Sequence, residues 1–208
     1  MEPKFSKNKT SKVIMLGSTS VGKTSIIDRF IWNKFTEIRE ATIGCFNMKN
    51  VNFGSACIQL QLWDTAGQER FASLAPMYYR RADYAFIVFD LTNRESFERV
   101  QYYHHEIYAN ISPKNEPIHP VKIGIIGNKN DLISERKIQF EEAKNLADEI
   151  NCPYFETSAK TGENIKEAFI EAAKAILLLC ENHELKFDEE KNEQIILTPK
   201  KKQDTICC

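Results

Sequence analysis

The chain has 208 residues, with Lys+Arg 28 against Asp+Glu 29, a formal net charge of −1 and pI ≈ 6.5. That balance excludes the strongly basic surface of a dedicated nucleic-acid binder, and 42% hydrophobic residues exclude a chain that is disordered throughout. The length fits one domain with a tail, large enough to bury a core without disulfide or metal staples.

No run reaches the ~20 apolar residues of a membrane span, and the first residues lack the apolar stretch of a secretory signal. Glu2 excludes N-myristoylation. The expected compartment is therefore the cytosol. The cysteines at 45, 57, 152, 180, 207 and 208 match neither a zinc spacing nor a disulfide framework. The first four are expected as unpaired thiols.

Residues 1–11 are polar and Lys-rich, the composition of a loose arm. Residues 13–16 form a short apolar run ending at Gly17, which predicts a buried strand meeting a turn. Ile26, Ile27, Phe30 and Ile31 recur at helical spacing. Ile58, Leu60 and Leu62 alternate with Gln59 and Gln61, predicting a half-buried strand. Gly54-Ser55 before it reads as a hairpin turn that pairs it with residues 46–51. The apolar runs 85–89, 123–126 and 154–155 suit strands covered on both faces. Helical patterns lie between and after them, over 95–110, 140–149 and 165–179. Strands alternating with helices predict an α/β fold with a mainly parallel sheet. There is no internal repeat. From Glu181 onward charges crowd together and apolar periodicity fades, so 181–208 is expected to be disordered.

Gly17-Ser18-Thr19-Ser20-Val21-Gly22-Lys23-Thr24 matches the pattern G-x-x-x-x-G-K-[ST] between a predicted strand and a predicted helix. The glycines let the backbone N–H groups of such a loop face a phosphate, and the helix adds the positive end of its dipole. Lys23 can reach the β- and γ-phosphates, and the Thr24 hydroxyl can hold Mg²⁺. Asp64, at the end of the 58–63 strand, is placed to act on Mg²⁺ through water. Gly67 can bring its N–H close to a γ-phosphate, and Gln68 carries both the donor and the acceptor needed to orient an attacking water. Asn128-Lys129-Asn130-Asp131 follows the 123–126 strand. Its Asp131 carboxylate can accept from guanine N1–H and N2–H₂, donors that adenine does not offer, and the Lys129 stem can lie along the base. Ser158-Ala159-Lys160 follows the 154–155 strand and can present a backbone N–H to guanine O6.

With GSTSVGKT, DTAGQE, NKND and SAK in this order, the chain resembles a small GTPase of the Ras superfamily over residues 11–180, and within it the Rab family. The Rab likeness rests on Ile43-Gly44-Cys45-Phe46, on Leu62-Trp63-Asp64-Thr65-Ala66-Gly67-Gln68-Glu69-Arg70-Phe71 and on Cys207-Cys208. Residues 73–80 are similar to early-endosomal Rabs. The resemblance implies a P-loop NTPase fold, a small G domain over 12–180 with a six-stranded, mostly parallel sheet, one antiparallel edge strand and helices on both faces. It implies GTP and GDP as substrate and product, with Ser20, Val21, Gly22, Lys23, Thr24, Ser25, Thr42 and Gly67 at the phosphates. Mg²⁺ would be held by Thr24, Thr42 and, through water, Asp64. Phe35, Asn128, Lys129, Asp131, Ser158, Ala159 and Lys160 would meet the guanine. Gln68 and Lys23 would be the catalytic pair.

Ile43, Phe46, Trp63 and Tyr78 would contact effectors and exchange factors, and Cys207 and Cys208 would carry geranylgeranyl groups, two lipid signals where one would hold only marginally. The implied partners also include a GTPase-activating protein, a GDP-dissociation inhibitor and the prenylation machinery. The implied state is a monomer on the cytoplasmic face of endosomal membranes, cycling with the cytosol and binding no nucleic acid polymer. The chain departs from the Rab pattern at Thr19 and Ser20, which occupy variable phosphate-loop positions. It departs again at Cys45, a single residue where Rabs have two between Ile-Gly and Phe, and in the long connection over 112–120 with prolines at 113, 117 and 120. Two other readings stay open from sequence. A small-molecule kinase would prefer ATP to GTP, and a module that holds GTP without hydrolysis would release no phosphate.

Overall fold

The computed structural model describes residues 9–37, 45–53, 56–65, 78–111 and 121–181. Residues 1–8, 38–44, 54–55, 66–77, 112–120 and 182–208 lie outside that set, and with them the expected turn at Gly54-Ser55 and the expected disordered tail. In chain order the elements are β1 (Lys9–Leu16), α1 (Lys23–Trp32), β2 (Cys45–Phe53), β3 (Ala56–Asp64), β4 (Tyr84–Asp90), α2 (Arg94–Glu98), α3 (Val100–Asn110), β5 (Lys122–Asn128), a 3₁₀ turn (Ile133–Glu135), α4 (Phe140–Glu149), β6 (Tyr154–Thr157) and α5 (Ile165–Glu181).

The strands form one sheet in the order β2-β3-β1-β4-β5-β6. β2 pairs antiparallel with β3 as expected, and every other pairing is parallel. The apolar runs are the central strands: all of β4 is buried, and all of β5 after Lys122. The alternation in β3 turns Ile58, Leu60 and Leu62 inward, each 0% exposed. On one face of the sheet Val13 and Met15 pack with Ile26 and Ile27 of α1 and with Phe169, Ala172 and Ile176 of α5. On the other, Ile14 and Leu16 pack with Ile107 of α3 and Ala143 and Ala147 of α4. Phe169 is the hub of the first face, stacked on Phe30 at 4.0 Å and edge-on to Phe86 at 5.3 Å. Burying one such side chain is worth about 1.5–3 kcal/mol.

Two boundaries differ from the sequence expectation. β1 starts at Lys9, so residues 9–11, expected in the arm, belong to the sheet. The reason is backbone pairing, Lys9 to Ile58 through Lys12 to Gln61, which needs no apolar side chain. The helix expected over 95–110 is two, α2 and α3, parted at Arg99. At that residue ψ opens to −4°, and the Arg99 N–H is shared between Glu95 O and Phe97 O. Cys57 and Cys152 are free thiols, and burial pushes the Cys152 thiol up to about 11.

β1, β3, β5 and β6 run the same way, so the segments after them emerge at one edge of the sheet. From β1 the chain crosses to the edge at β2, comes back through β3 beside β1, and then passes to the other side of β1 through β4, β5 and β6. That reversal of direction is where ligands lodge in open α/β sheets.

Candidate functional site

The loop from β1 to α1 turns back on itself through two glycines in the left-handed region. Gly17 has φ +137°, and a Cβ there would stand 2.1 Å from Val88 O. Gly22, the residue preceding α1, has φ +100°, and a Cβ there would stand 2.3 Å from Asn128 Nδ2. Ser20 adopts φ 63° without that freedom. Gly22 offers no side-chain cap to α1, so the loop meets the positive end of the helix with main chain alone, the arrangement of an anion-binding turn.

Lys23, 6% exposed, donates to Gly17 O at 2.7 Å and Ser18 O at 2.8 Å, drawing the loop around its ammonium. Burial lowers its pKa to about 8, and Asp64 opposes the shift. Thr24 Oγ1 donates to Asp64 Oδ2 at 2.6 Å, although 40 residues separate them in sequence. Asp64 is 1% exposed. A hydroxyl and a carboxylate side by side are hard oxygen ligands, the donor set that suits Mg²⁺ rather than a soft metal. Next in the chain, Thr65 Oγ1 donates to Met15 O at 2.6 Å and pins the end of β3 to β1.

Asn128 ends β5 at 1% exposure. Its Nδ2 donates to Val21 O at 2.9 Å, while its Oδ1 accepts from Thr157 Oγ1 and from the Ala159 N–H, each at 3.2 Å. One side chain therefore ties the phosphate loop to the segments after β5 and β6. Ser158 Oγ donates to Asp131 Oδ1 at 2.5 Å, which orients that carboxylate. Lys129, at φ 69°, sets its ammonium 2.6 Å from Asp90 Oδ2.

Of the residues singled out from sequence, Lys23 holds the phosphate loop, Thr24 pairs with Asp64, Asn128 joins Val21 to Ala159, Ser158 pairs with Asp131, and Lys129 pairs with Asp90. Ser25 lies half-buried in the first turn of α1. Phe35 packs at the margin of the α1–α5 core. Thr42, Ile43, Gly67, Gln68, Cys207 and Cys208 lie outside the described residues. Phe46 and Trp63 meet edge to face at 5.2 Å, and Trp63 and Tyr78 at 6.3 Å. Phe46 is 44% exposed and Tyr78 only 8%, so the trio runs from surface to interior. Lys12 Nζ stands 4.5 Å from the centre of the Trp63 ring.

Sequence reasoning missed Asp90, Thr65 and Arg29. Asp90 and Thr65 lie at or beside strand ends, a position that could have flagged them. Arg29 donates to Ala159 O and Lys160 O, 130 and 131 residues away, and no local pattern signals such a contact.

Comparison with known proteins gives a consistent result. A sequence model of the Ras family matches residues 12–178. The chain is similar to Ras-related protein RABF2a of Arabidopsis thaliana, 43% identical over 171 residues that cover 82% of each chain. It is 42% identical to Ras-related protein RABF2b of the same plant, over 171 residues and again 82% of each.

Proposed function

This chain belongs to the Ras family, in its Rab branch, and from that premise we propose how its residues carry the activity. It is a small GTPase: it binds GTP, hydrolyses it to GDP and phosphate, and regulates vesicle traffic through regulators and effectors that distinguish the two states. The first-turn N–H groups of α1 and Lys23 take the β- and γ-phosphates, with Ser20, Val21, Gly22, Thr24 and Ser25 lining the turn. Thr24, Thr42 and, through water, Asp64 would hold Mg²⁺, and the buried pairing of Thr24 with Asp64 supports that assignment. Bound there, the cation would neutralise charge on the phosphates.

The base lies against Lys129 and Phe35, with its N1–H and N2–H₂ donated to Asp131 and its O6 met by the 158–160 loop. Gln68 orients the attacking water, Gly67 and Thr42 sense the γ-phosphate, and loss of that phosphate releases the segments around them. Effectors and exchange factors read Ile43, Phe46, Trp63 and Tyr78. Geranylgeranyl groups on Cys207 and Cys208 place the protein on the cytoplasmic face of endosomal membranes. The likeness of residues 73–80 to early-endosomal Rabs supports that compartment. Prenylation machinery and a GDP-dissociation inhibitor follow as partners.

Asn128 carries the site assignment, because one buried side chain binds the phosphate loop and both base-reading loops into a single cradle. The test is Asp131→Asn. An amide donates where the carboxylate accepted, so it clashes with the guanine 2-amino group and suits the 2-oxo group of xanthine. We expect GDP affinity to fall by about 100-fold or more and xanthosine diphosphate to become the better ligand. An unchanged order of preference in calorimetric titration contradicts the base assignment.

A further inference from the structure

Arg29 lies in the last turn of α1, where a cation complements the negative end of the helix. All three nitrogens of its guanidinium are engaged. Nε donates to Ala159 O at 2.8 Å and Nη2 to Lys160 O at 2.6 Å. Nη1 donates to Asn33 O at 3.1 Å and to Asn33 Oδ1 at 3.0 Å. Each of these acceptors is neutral, and three are main-chain carbonyls, so this is no ordinary ion pair. A planar fork of charged donors is spent on fixing backbone, a geometry that Lys does not reproduce.

The two segments it joins are specific. One is the 158–160 loop, assigned above to guanine O6. The other is the exit of α1 through Asn33, at φ 52°, which leads two residues later to Phe35. A second link runs beside it, Lys160 Nζ to Glu37 Oε1 at 3.6 Å, but both side chains are more than half exposed, so that pair contributes little. The Ala159 residue is held from both ends, its N–H on Asn128 Oδ1 and its carbonyl on Arg29 Nε. Asp131 sits on the loop after β5, which Arg29 does not touch, and Ser158, which reaches Asp131 Oδ1, has its own ties: its N–H donates to Glu163 O at 3.2 Å and its Oγ accepts from the Thr161 N–H at 3.0 Å.

We propose that Arg29 is a positioning residue for base recognition. It sets the depth of the 158–160 loop, and hence the contact with O6, and it ties that loop to the segment carrying Phe35 so that the two walls of the base pocket move together. The inference rests on the base site proposed above. Removing the fork lets the Ala159 and Lys160 backbone recede from O6, while Ser158, held by its own ties, keeps Asp131 on the 2-amino edge.

The experiment compares three nucleotides on the full chain: GDP, 6-thio-GDP, altered only at O6, and IDP, which lacks only the 2-amino group. In Arg29→Ala we expect GDP release to quicken about tenfold. The preference for GDP over 6-thio-GDP should shrink by about threefold or more, and that for GDP over IDP should stay within about twofold of wild type. Arg29→Lys, which keeps the charge and is the safer variant to fold, should show the same change in ratios. Methylguanidinium at millimolar concentration should restore slow release to Arg29→Ala but not to Arg29→Lys. Equal weakening of all three nucleotides in both variants would mean a merely structural arginine and overturns the inference, as does an unchanged release rate. A wild-type protein that does not distinguish GDP from IDP removes the base site itself, and this inference with it.

Discussion

Asn128 shows how much one buried amide can decide. Both ends of its side chain are spent on other segments, at 1% exposure. Truncation would leave Val21 O and Thr157 Oγ1 short of a partner in a dry place, and each such loss costs about 1–3 kcal/mol. We expect Asn128→Ala to weaken GDP binding by about 100-fold with the far-ultraviolet circular dichroism spectrum retained. Affinity within about threefold of wild type, read by fluorescence titration, contradicts its bridging role. The same residue explains the demand for glycine at position 22, because Asn128 Nδ2 occupies the space a Cβ would need.

Among the elements, β1 does two jobs. Its second half is core, and its first half carries Lys12 across the sheet toward β3 and the start of β4. The Lys12 N–H donates to Asp83 Oδ2 at 2.8 Å, and its ammonium donates to Arg80 O at 2.9 Å beside the Trp63 ring. Burial lowers the Lys12 pKa from 10.5 to about 8, with Asp83 opposing. Between those two values the unfolded chain keeps a proton that the folded chain releases, so stability rises with pH across that window and the cost of burying the charge is constant below it. Lys23 acts in the same direction. Lys12→Met should therefore keep only part of the gain in urea midpoint between about pH 7.5 and about pH 9.5. The same gain in the variant as in wild type refutes this reading of Lys12. Met is the apt replacement because it preserves an apolar stem against the indole.

At the scale of the whole molecule, the question is how a chain of this kind reaches a membrane. Among the described residues no helix is long and apolar enough to cross one. The proposed route is two lipid chains on Cys207 and Cys208, aided by Lys200, Lys201 and Lys202, each worth about 1 kcal/mol near an anionic surface. Changing both cysteines to Ser should move the protein wholly to the soluble fraction of a cell lysate, with GTP hydrolysis by the purified protein unchanged. Membrane association that survives the change rules out the lipid route.

Short-range pattern already determined a good deal. The buried strands β4 and β5, the alternation of β3, the hairpin pairing of β2 and the span of α4 were all legible, because hydrophobic period and turn residues act over a few positions. The phosphate loop was legible for the same reason, since its glycines and Lys23 are contiguous. What only tertiary structure decided depends on contacts between segments remote in the chain. Lys9 is strand because β3 pairs with it. Asp90 matters because Lys129 reaches it. Arg29 matters because two carbonyls more than a hundred residues away lie under its guanidinium. A local pattern carries no record of such contacts: they arise only once the sheet has brought its strand ends together, and the charge or hydrogen-bond capacity of a residue does not say which remote atom will use it.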